Sequence, residues 1–205
     1  MPRPKPDEDL IRSSMLDAAQ ELMRRHGAAK VTVTDIAARC GMSQSNAYRY
    51  YASRNALFEA LGQRCFADIQ AALEAVAAGK EDPAAKLRLF LLTQFSIKLA
   101  RWREDRELFA AYLKLADANP AIAQSHITEN HALLSKLVSD WCQVQGMERR
   151  RADRAYQLIL DATLLIRDPY AIARHGHDLS EARAAALVEA VLAGLASTRD
   201  GLRDM

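Results

Sequence analysis

Cysteine is scarce: Cys40, Cys65 and Cys142 are the only three, widely spaced and in no CxxC pair. Neither a disulfide framework nor a zinc knuckle is indicated by them, which leaves small apolar filler as their role. No run of about 18 uninterrupted apolar residues occurs, so a transmembrane helix is not expected. The opening "MPRPKPDEDL" has no apolar stretch of the kind a secretory signal needs, and the chain is expected to act in the cytoplasm. A glycine-rich phosphate loop, an HExxH helix and a nucleophile elbow are all missing. An all-α enzyme therefore has little to rest on, and no cofactor or metal is called for. His175, His177 and Asp178 form the nearest thing to a metal cluster, but without further ligands they read as solvated loop. Asp161, inside the apolar run "LILDATLLI", reads as a polar group at a helix interface. A strong charge of one sign is lacking too. The net charge is +2, yet residues 1–54 carry nine Lys/Arg against six acids and the rest of the chain is net −1. That asymmetry is mild, and it puts any polyanionic partner at the N-terminal end.

What the chain does have is helix. Half of it is apolar, enough for a real core, and long runs of Ala, Leu, Arg, Glu and Gln are broken by Gly or Pro. The expected class is all-α with about nine helices. The first runs from about Asp7 to His26. Thr32 with Asp35 three residues on approximates a capping box for the second, and Ser43 caps a third that reaches about Tyr51. Ser53 opens a long fourth helix ending near Gly79. Asp82–Pro83 and Asn119–Pro120 are each a cap followed by proline at the first helical position, opening the fifth and seventh helices; the sixth covers about Asp105 to Ala118. The eighth is expected over about Glu148 to Arg167, stopped by the residue before Pro169. The ninth is expected from Asp178, with Glu181 at the capping-box position, to about Thr198.

The chemistry concentrates in "GMSQSNAYRYYASRNAL". Only a few residues around Gly41 join the second and third helices, which is the helix-turn-helix arrangement. Ala37 permits close approach of the two, Gly41 supplies a positive φ for the turn, and Ile36, Cys40, Met42, Ala47 and Tyr51 can form the seam. Gln44, Ser45, Asn46, Tyr48, Arg49 and Tyr50 are left at or beside the outer face. Such side chains suit DNA: Gln and Asn pair bidentately with adenine, while Tyr and Arg hold phosphates, and the first turn of a recognition helix meets base edges. Arg54 stands at the start of the fourth helix, where free N–H groups also favour a phosphate. On residue types alone, a merely solvated polar face fits equally well. Arg3 and Lys5, in a proline-rich arm, would either reach a neighbouring groove or simply keep the arm in solution.

The stretch "VTVTDIAARCGMSQSNAYRYYASRNALFEAL" resembles the N-terminal signature of the tetracycline-repressor (TetR) family of bacterial regulators. The shared features are a T-V-x-D-I-A helix, then G-x-S, a short helix ending Y-x-Y-[FY], a basic residue, and a leucine opening the next helix. The resemblance covers about Leu10 to Phe66. It implies DNA contacts at Thr34, Gln44, Ser45, Asn46, Tyr48, Tyr50 and Arg54, a three-helix DNA-binding domain over residues 1–53, and an effector-binding and dimerisation domain over residues 54–205. Four positions depart from the family pattern. Ser45 stands where glycine is common and Asn46 where threonine or alanine is usual, which bears on the operator sequence. Tyr51 replaces the usual phenylalanine, and Arg54 the usual lysine.

One helix-turn-helix reads only a few base pairs, so a two-fold dimer on a palindromic operator in double-stranded DNA is expected. The last two helices would supply the interface, as the resemblance implies, with Ala184, Leu187, Val188, Val191, Leu192 and Leu195 interleaved with small residues; an intramolecular core explains the same stripes. An unknown small-molecule effector would lie among the fifth to seventh helices, near Phe95, Trp102, Tyr112, His131 and Trp141, with Gln94, Ser96, His126 and Asn130 as polar neighbours. The resemblance implies a repressor released by that ligand. A nucleoid or cell-division factor binding DNA without an effector is the alternative on the same fold.

Overall fold

The computed structural model describes residues 7–118 and 120–197, with the side chains of all but Ile122 and Arg149. The expected roles of Arg3, Lys5, the Asn119 cap and Thr198 fall outside the described residues. Among those described there are eleven α-helices and no strand, nine of the helices having seven or more residues. They form two compact units: the residues up to Ala67 with Glu107–Gln124, and Asp68–Arg106 with the residues from Ser125 on.

In the first unit, α1 (Glu8–His26) starts where the Asp7 carboxylate accepts the Asp9 N–H. A 3₁₀ turn (Ala28–Lys30) leads to α2 (Val33–Arg39). Here the Thr32 hydroxyl accepts the Asp35 N–H at 3.2 Å while the Asp35 carboxylate accepts the Thr32 N–H at 3.0 Å, so two otherwise orphaned donors are satisfied reciprocally. The Thr32 bonds also hold the Asp35 carboxyl below its ordinary value. Gly41 makes the turn with φ 67°, a region an L side chain enters only with strain. The short α3 (Gln44–Ala47) follows, capped by Ser43, whose hydroxyl accepts the Asn46 N–H at 3.2 Å. It was expected to reach Tyr51. Instead Arg49 N–H bonds Asn46 O and Tyr50 N–H bonds Ala47 O, so three-residue bonds tighten the chain into a turn. The long α4 (Arg54–Ala78) begins where Ser53 Oγ accepts the Ala56 N–H. The core of this unit gathers Met15, Met23, Ile36, Ala37, Ala47, Leu57, Phe58 and Leu61, closed by Ala111 and Leu115 of α6 (Arg106–Ala118).

The second unit is built around α5 (Pro83–Glu104), capped by Asp82; this helix packs on α9 (Leu164–Arg167), α10 (Pro169–His175) and α11 (Glu181–Ser197). Phe90, Leu91, Phe95, Leu99 and Trp102 are its buried face, and Val138, Trp141, Ile159, Ile172 and Val188 are buried in the same unit. α7 (Pro120–Val144) and α8 (Arg149–Ala162) precede a break. The helix expected over Glu148–Arg167 is interrupted at Thr163, whose hydroxyl donates back to Ile159 O at 2.5 Å; such back-bonding bends helices. A four-residue α9 (Leu164–Arg167) follows. Pro169 then opens a helix as well as ending one: α10 (Pro169–His175) is capped by Asp168, which accepts the Tyr170 and Ala171 N–H groups. Gly176 ends it against Trp102, whose ring would lie 2.7 Å from any added Cβ. α11 (Glu181–Ser197) starts from Ser180, whose hydroxyl accepts the Arg183 N–H, and not from Asp178.

Candidate nucleic-acid interface

The interface is assembled by local chemistry. Ala37 and Ala47, fully buried, let α2 and α3 meet without a gap, and Ile36 and Tyr51 are buried beside them, with Cys40 and Met42 half-buried against the same cluster. Every cap is used by the backbone, so the remaining polar groups of α3 point elsewhere. Gln44, Ser45, Tyr48 and Arg49 are exposed and Asn46 is half-exposed. Ser45 Oγ lies 3.1 Å from Ser43 Oγ. Tyr48 leaves 43% of its surface in solvent, a large exposure for an aromatic ring that has a core beside it. Tyr50 is half-buried against the core, and Thr34 is exposed in the first turn of α2. Thr34, Gln44, Ser45, Tyr48 and Arg49 thus keep solvent-facing side chains.

The cations around this segment divide into two kinds. Arg39 donates twice to Glu21 Oε2, at 3.0 and 2.7 Å, which ties α2 to α1, and Arg25 meets the same carboxylate at 2.6 Å from within α1. Arg64 pairs with Asp17 at 2.7 Å. Arg12 lies over the Tyr51 ring, while Tyr51 O–H donates to Arg12 O. Arg54 also turns inward: its Nε donates to Val31 O at 2.9 Å, its Nη2 to Ala28 O at 2.6 Å, and its guanidinium stacks over Phe58 at 4.4 Å. It holds the 3₁₀ turn and the approach to α2. Arg49, in contrast, has no ion pair among the described residues. The sequence carries no sign that Arg54, and not Arg49, turns inward, since the difference lies in two main-chain oxygens over twenty residues away.

The expected effector residues are spread over both units. Phe95, Trp102 and Trp141 are buried in the second, with Arg106 stacked on Trp102 at 4.3 Å. His131 is half-buried there and meets Tyr156 edge-on, ring centroids 6.3 Å apart; burial lowers its pKa. Tyr112 belongs to the first unit, where its hydroxyl donates to Gln20 at 3.4 Å. Of the expected polar neighbours, Gln94 and Asn130 are buried in the second unit; nothing in the sequence marks Lys98, whose Nζ donates to Arg167 O at 2.6 Å. His177 pairs with Asp178 at 3.1 Å, and no group of three metal-binding side chains is present among the described residues.

A two-helix motif with its apolar seam closed and its polar side chains turned outward, carried by a helical chain with a second, larger bundle, defines a DNA-binding regulator. Residues 15–61 match the family profile "Bacterial regulatory proteins, tetR family", and residues 83–188 match "Tetracyclin repressor-like, C-terminal domain". The chain belongs to the TetR family of transcriptional regulators; it is a regulator and not an enzyme. No curated protein matches its sequence. Its fold resembles that of a protein of Pseudomonas aeruginosa PAO1 assigned as a transcriptional regulator (17% identity, TM-score 0.77, 95% of this chain and 94% of that one). It also resembles SmeT, the repressor of the Stenotrophomonas maltophilia multidrug efflux pump SmeDEF (19%, 0.67, 89% of each). A further likeness is Thermus thermophilus FadR, a repressor solved with lauroyl-CoA (20%, 0.52, 90% and 92%). None of the described helices is long and apolar enough to cross a membrane.

Proposed function

We propose that this chain is a ligand-responsive repressor that acts in the cytoplasm as a homodimer on a palindromic operator and is released when a small molecule binds its C-terminal domain. The observation carrying this reading is the outer face of α3 and the turn after it, where Gln44, Ser45, Tyr48 and Arg49 are exposed over a buried seam. Gln44, Ser45 and Asn46 would read base edges, while Thr34, Tyr48, Arg49 and Tyr50 would hold phosphates. Arg54 supports the face from behind. The functional boundary is set between residues 53 and 54, α4 joining the DNA-binding part to the rest.

Dimerisation through α8 and α11 is supported by what those helices leave uncovered. Ala184, Val188, Leu192 and Leu195 are consumed by the chain's own core, whereas Leu158 on α8 is 39% exposed and Ala190, Ala193 and Gly194 lie open on α11. Small residues on an open face let a partner helix approach closely. Release follows from linkage: a ligand that favours a conformer with mis-spaced recognition helices must weaken DNA binding, typically by about 1–3 kcal/mol.

The test is operator binding by a Tyr48→Ala, Arg49→Ala double variant. Affinity is expected to drop at least about tenfold, with a flatter salt dependence. Affinity within twofold of the parent would place the DNA face elsewhere. Many dispersed genomic sites in place of a few promoters would favour the nucleoid-factor alternative.

A further inference from the structure

Inside the second unit, a buried ammonium and a half-buried guanidinium stand without an ion pair among the described residues. Lys98 is four residues after Gln94 on α5, so the two share a face. Its side chain is partly exposed along its length, but the ammonium is buried and donates to the main-chain oxygen of Arg167. Arg167 donates only to neutral oxygens as well: Nε to Thr163 Oγ1 and Nη2 to Leu160 O, each at 2.9 Å. Neither has a carboxylate within 4.0 Å among the described residues. Asp168 is the acid near enough to be felt by both, and its oxygens are occupied capping α10.

Two further observations point to a missing partner. Gln94 and Asn130 are each only 5% exposed, and Gln94 Oε1 and Asn130 Oδ1 have no hydrogen-bond partner. Asn130 Nδ2 is occupied with His126 Nε2 at 2.8 Å, and His126 in turn is within electrostatic reach of Lys98. Burying a cation without a counter-ion, or a carbonyl without a donor, is costly, and here both costs fall on α5, α7 and α9 of one unit, where α5 packs on α9 and His126 and His131 of α7 lie in electrostatic reach of Lys98 and Arg167. The low pKa of Lys98, pushed down to about 7 by burial and by Arg167, is what a cation deprived of its anion shows.

From the bare charges of Lys98 and Arg167 and the orphaned oxygens of Gln94 and Asn130, we infer that the effector is an organic anion, a carboxylate or a phosphate ester, that also carries a hydrogen-bond donor. The anion pairs with Lys98 and Arg167; a hydroxyl or amine elsewhere on the same molecule answers Gln94 and Asn130. This rests on the ligand-responsive reading above and names the class of ligand.

The experiment measures thermal unfolding of the full chain at fixed ionic strength with matched pairs: 4-hydroxyphenylacetate and its amide, 3-hydroxydecanoate and its amide, glycerol 3-phosphate and glycerol. Operator release is followed on the same samples. At least one acid is expected to raise the midpoint by about 3 °C or more while its neutral counterpart does not. The carboxylate and phosphate arms separate the two anion types. Lys98→Gln, which keeps a donor for the Arg167 oxygen but removes the charge, is expected to abolish the preference, and Lys98→Arg to retain it. Equal shifts within every pair, no shift from any acid, or an acid preference that survives Lys98→Gln would overturn the inference. If a neutral compound shifts the midpoint and frees the operator, the ligand-responsive reading stands and the anionic class falls. If acids bind through Lys98 and leave the operator bound, the site stands and ligand release falls.

Discussion

Replacing Arg54 by methionine separates two roles that the same position can play. A guanidinium that holds a DNA phosphate contributes to counterion release, about 0.9 in the slope of log affinity against log salt per contact. One that holds the protein together contributes nothing there. In this structure Arg54 makes two charge-assisted bonds, to Ala28 O and Val31 O, and stacks on Phe58. Hydrogen bonds from a charged donor are worth roughly 1.5–3 kcal/mol each when intact, and the stacking adds about 0.5–1 kcal/mol. Arg54 is only half-buried, so water replaces part of this, and methionine regains some packing on the ring. The net loss is about 2 kcal/mol, which for a chain of this size lowers the unfolding midpoint by about 4–8 °C. Operator affinity falls because the approach to α2 is no longer fixed, but the salt slope stays that of the parent. Calorimetry and operator titrations across a salt series give both numbers. A slope reduced by about 0.9 or more, with the midpoint within about 1 °C of the parent, would show that Arg54 serves DNA and refute the clamp.

The remaining predictions are more local. Lys98 binds its proton in the unfolded chain up to the ordinary 10.5 but in the folded chain only up to about 7, so stability rises with pH across that window, by at most about 1.4 kcal/mol per unit. Denaturant unfolding at pH 7, 8 and 9 is expected to show this rise in the parent and its loss in Lys98→Met; parallel curves contradict it. His126 is depressed to about 4 from 6.5, chiefly by burial, so stability falls as pH drops through that interval and His126→Gln removes the fall. Solvent reaches part of the ring, which keeps the effect to about 1–2 kcal/mol. Gly41→Ala meets no atom within 4 Å but inherits φ 67°, costing roughly 1–2 kcal/mol through the backbone alone, readable as a lower midpoint.

Legibility in the sequence tracked the range of the interaction. The caps at Thr32, Ser43 and Asp82 involve partners two or three residues away, and residue types at fixed offsets reveal them. The turn at Gly41 is equally local. Thr163 was not legible as a break, because threonine within an apolar run also suits an unbroken helix and only the bond to Ile159 O distinguishes them. Asp168–Pro169 carries the same signature as Asp82–Pro83, but inside an apolar run it reads as the end of one helix and not the start of another. An apolar stripe announces that a face is buried without saying against what, so α6 gave no sign that Ala111, Leu115 and Tyr112 join the helix-turn-helix core. The polar face of α3 is visible from residue types; the inward turn of Arg54 and the placement of Lys98 depend on main-chain oxygens 23 to 69 residues away.

The central claim is that α3 reads DNA as one of two symmetry-related copies. Selecting bound sequences from a random duplex pool with the full-length protein tests it most directly. The account predicts enrichment of an inverted repeat with half-site centres about one helical turn, or a multiple of one, apart. A Gln44→Ala, Asn46→Ala variant should lose that preference symmetrically in both half-sites. No enrichment, or a preference unchanged by that substitution, would contradict it.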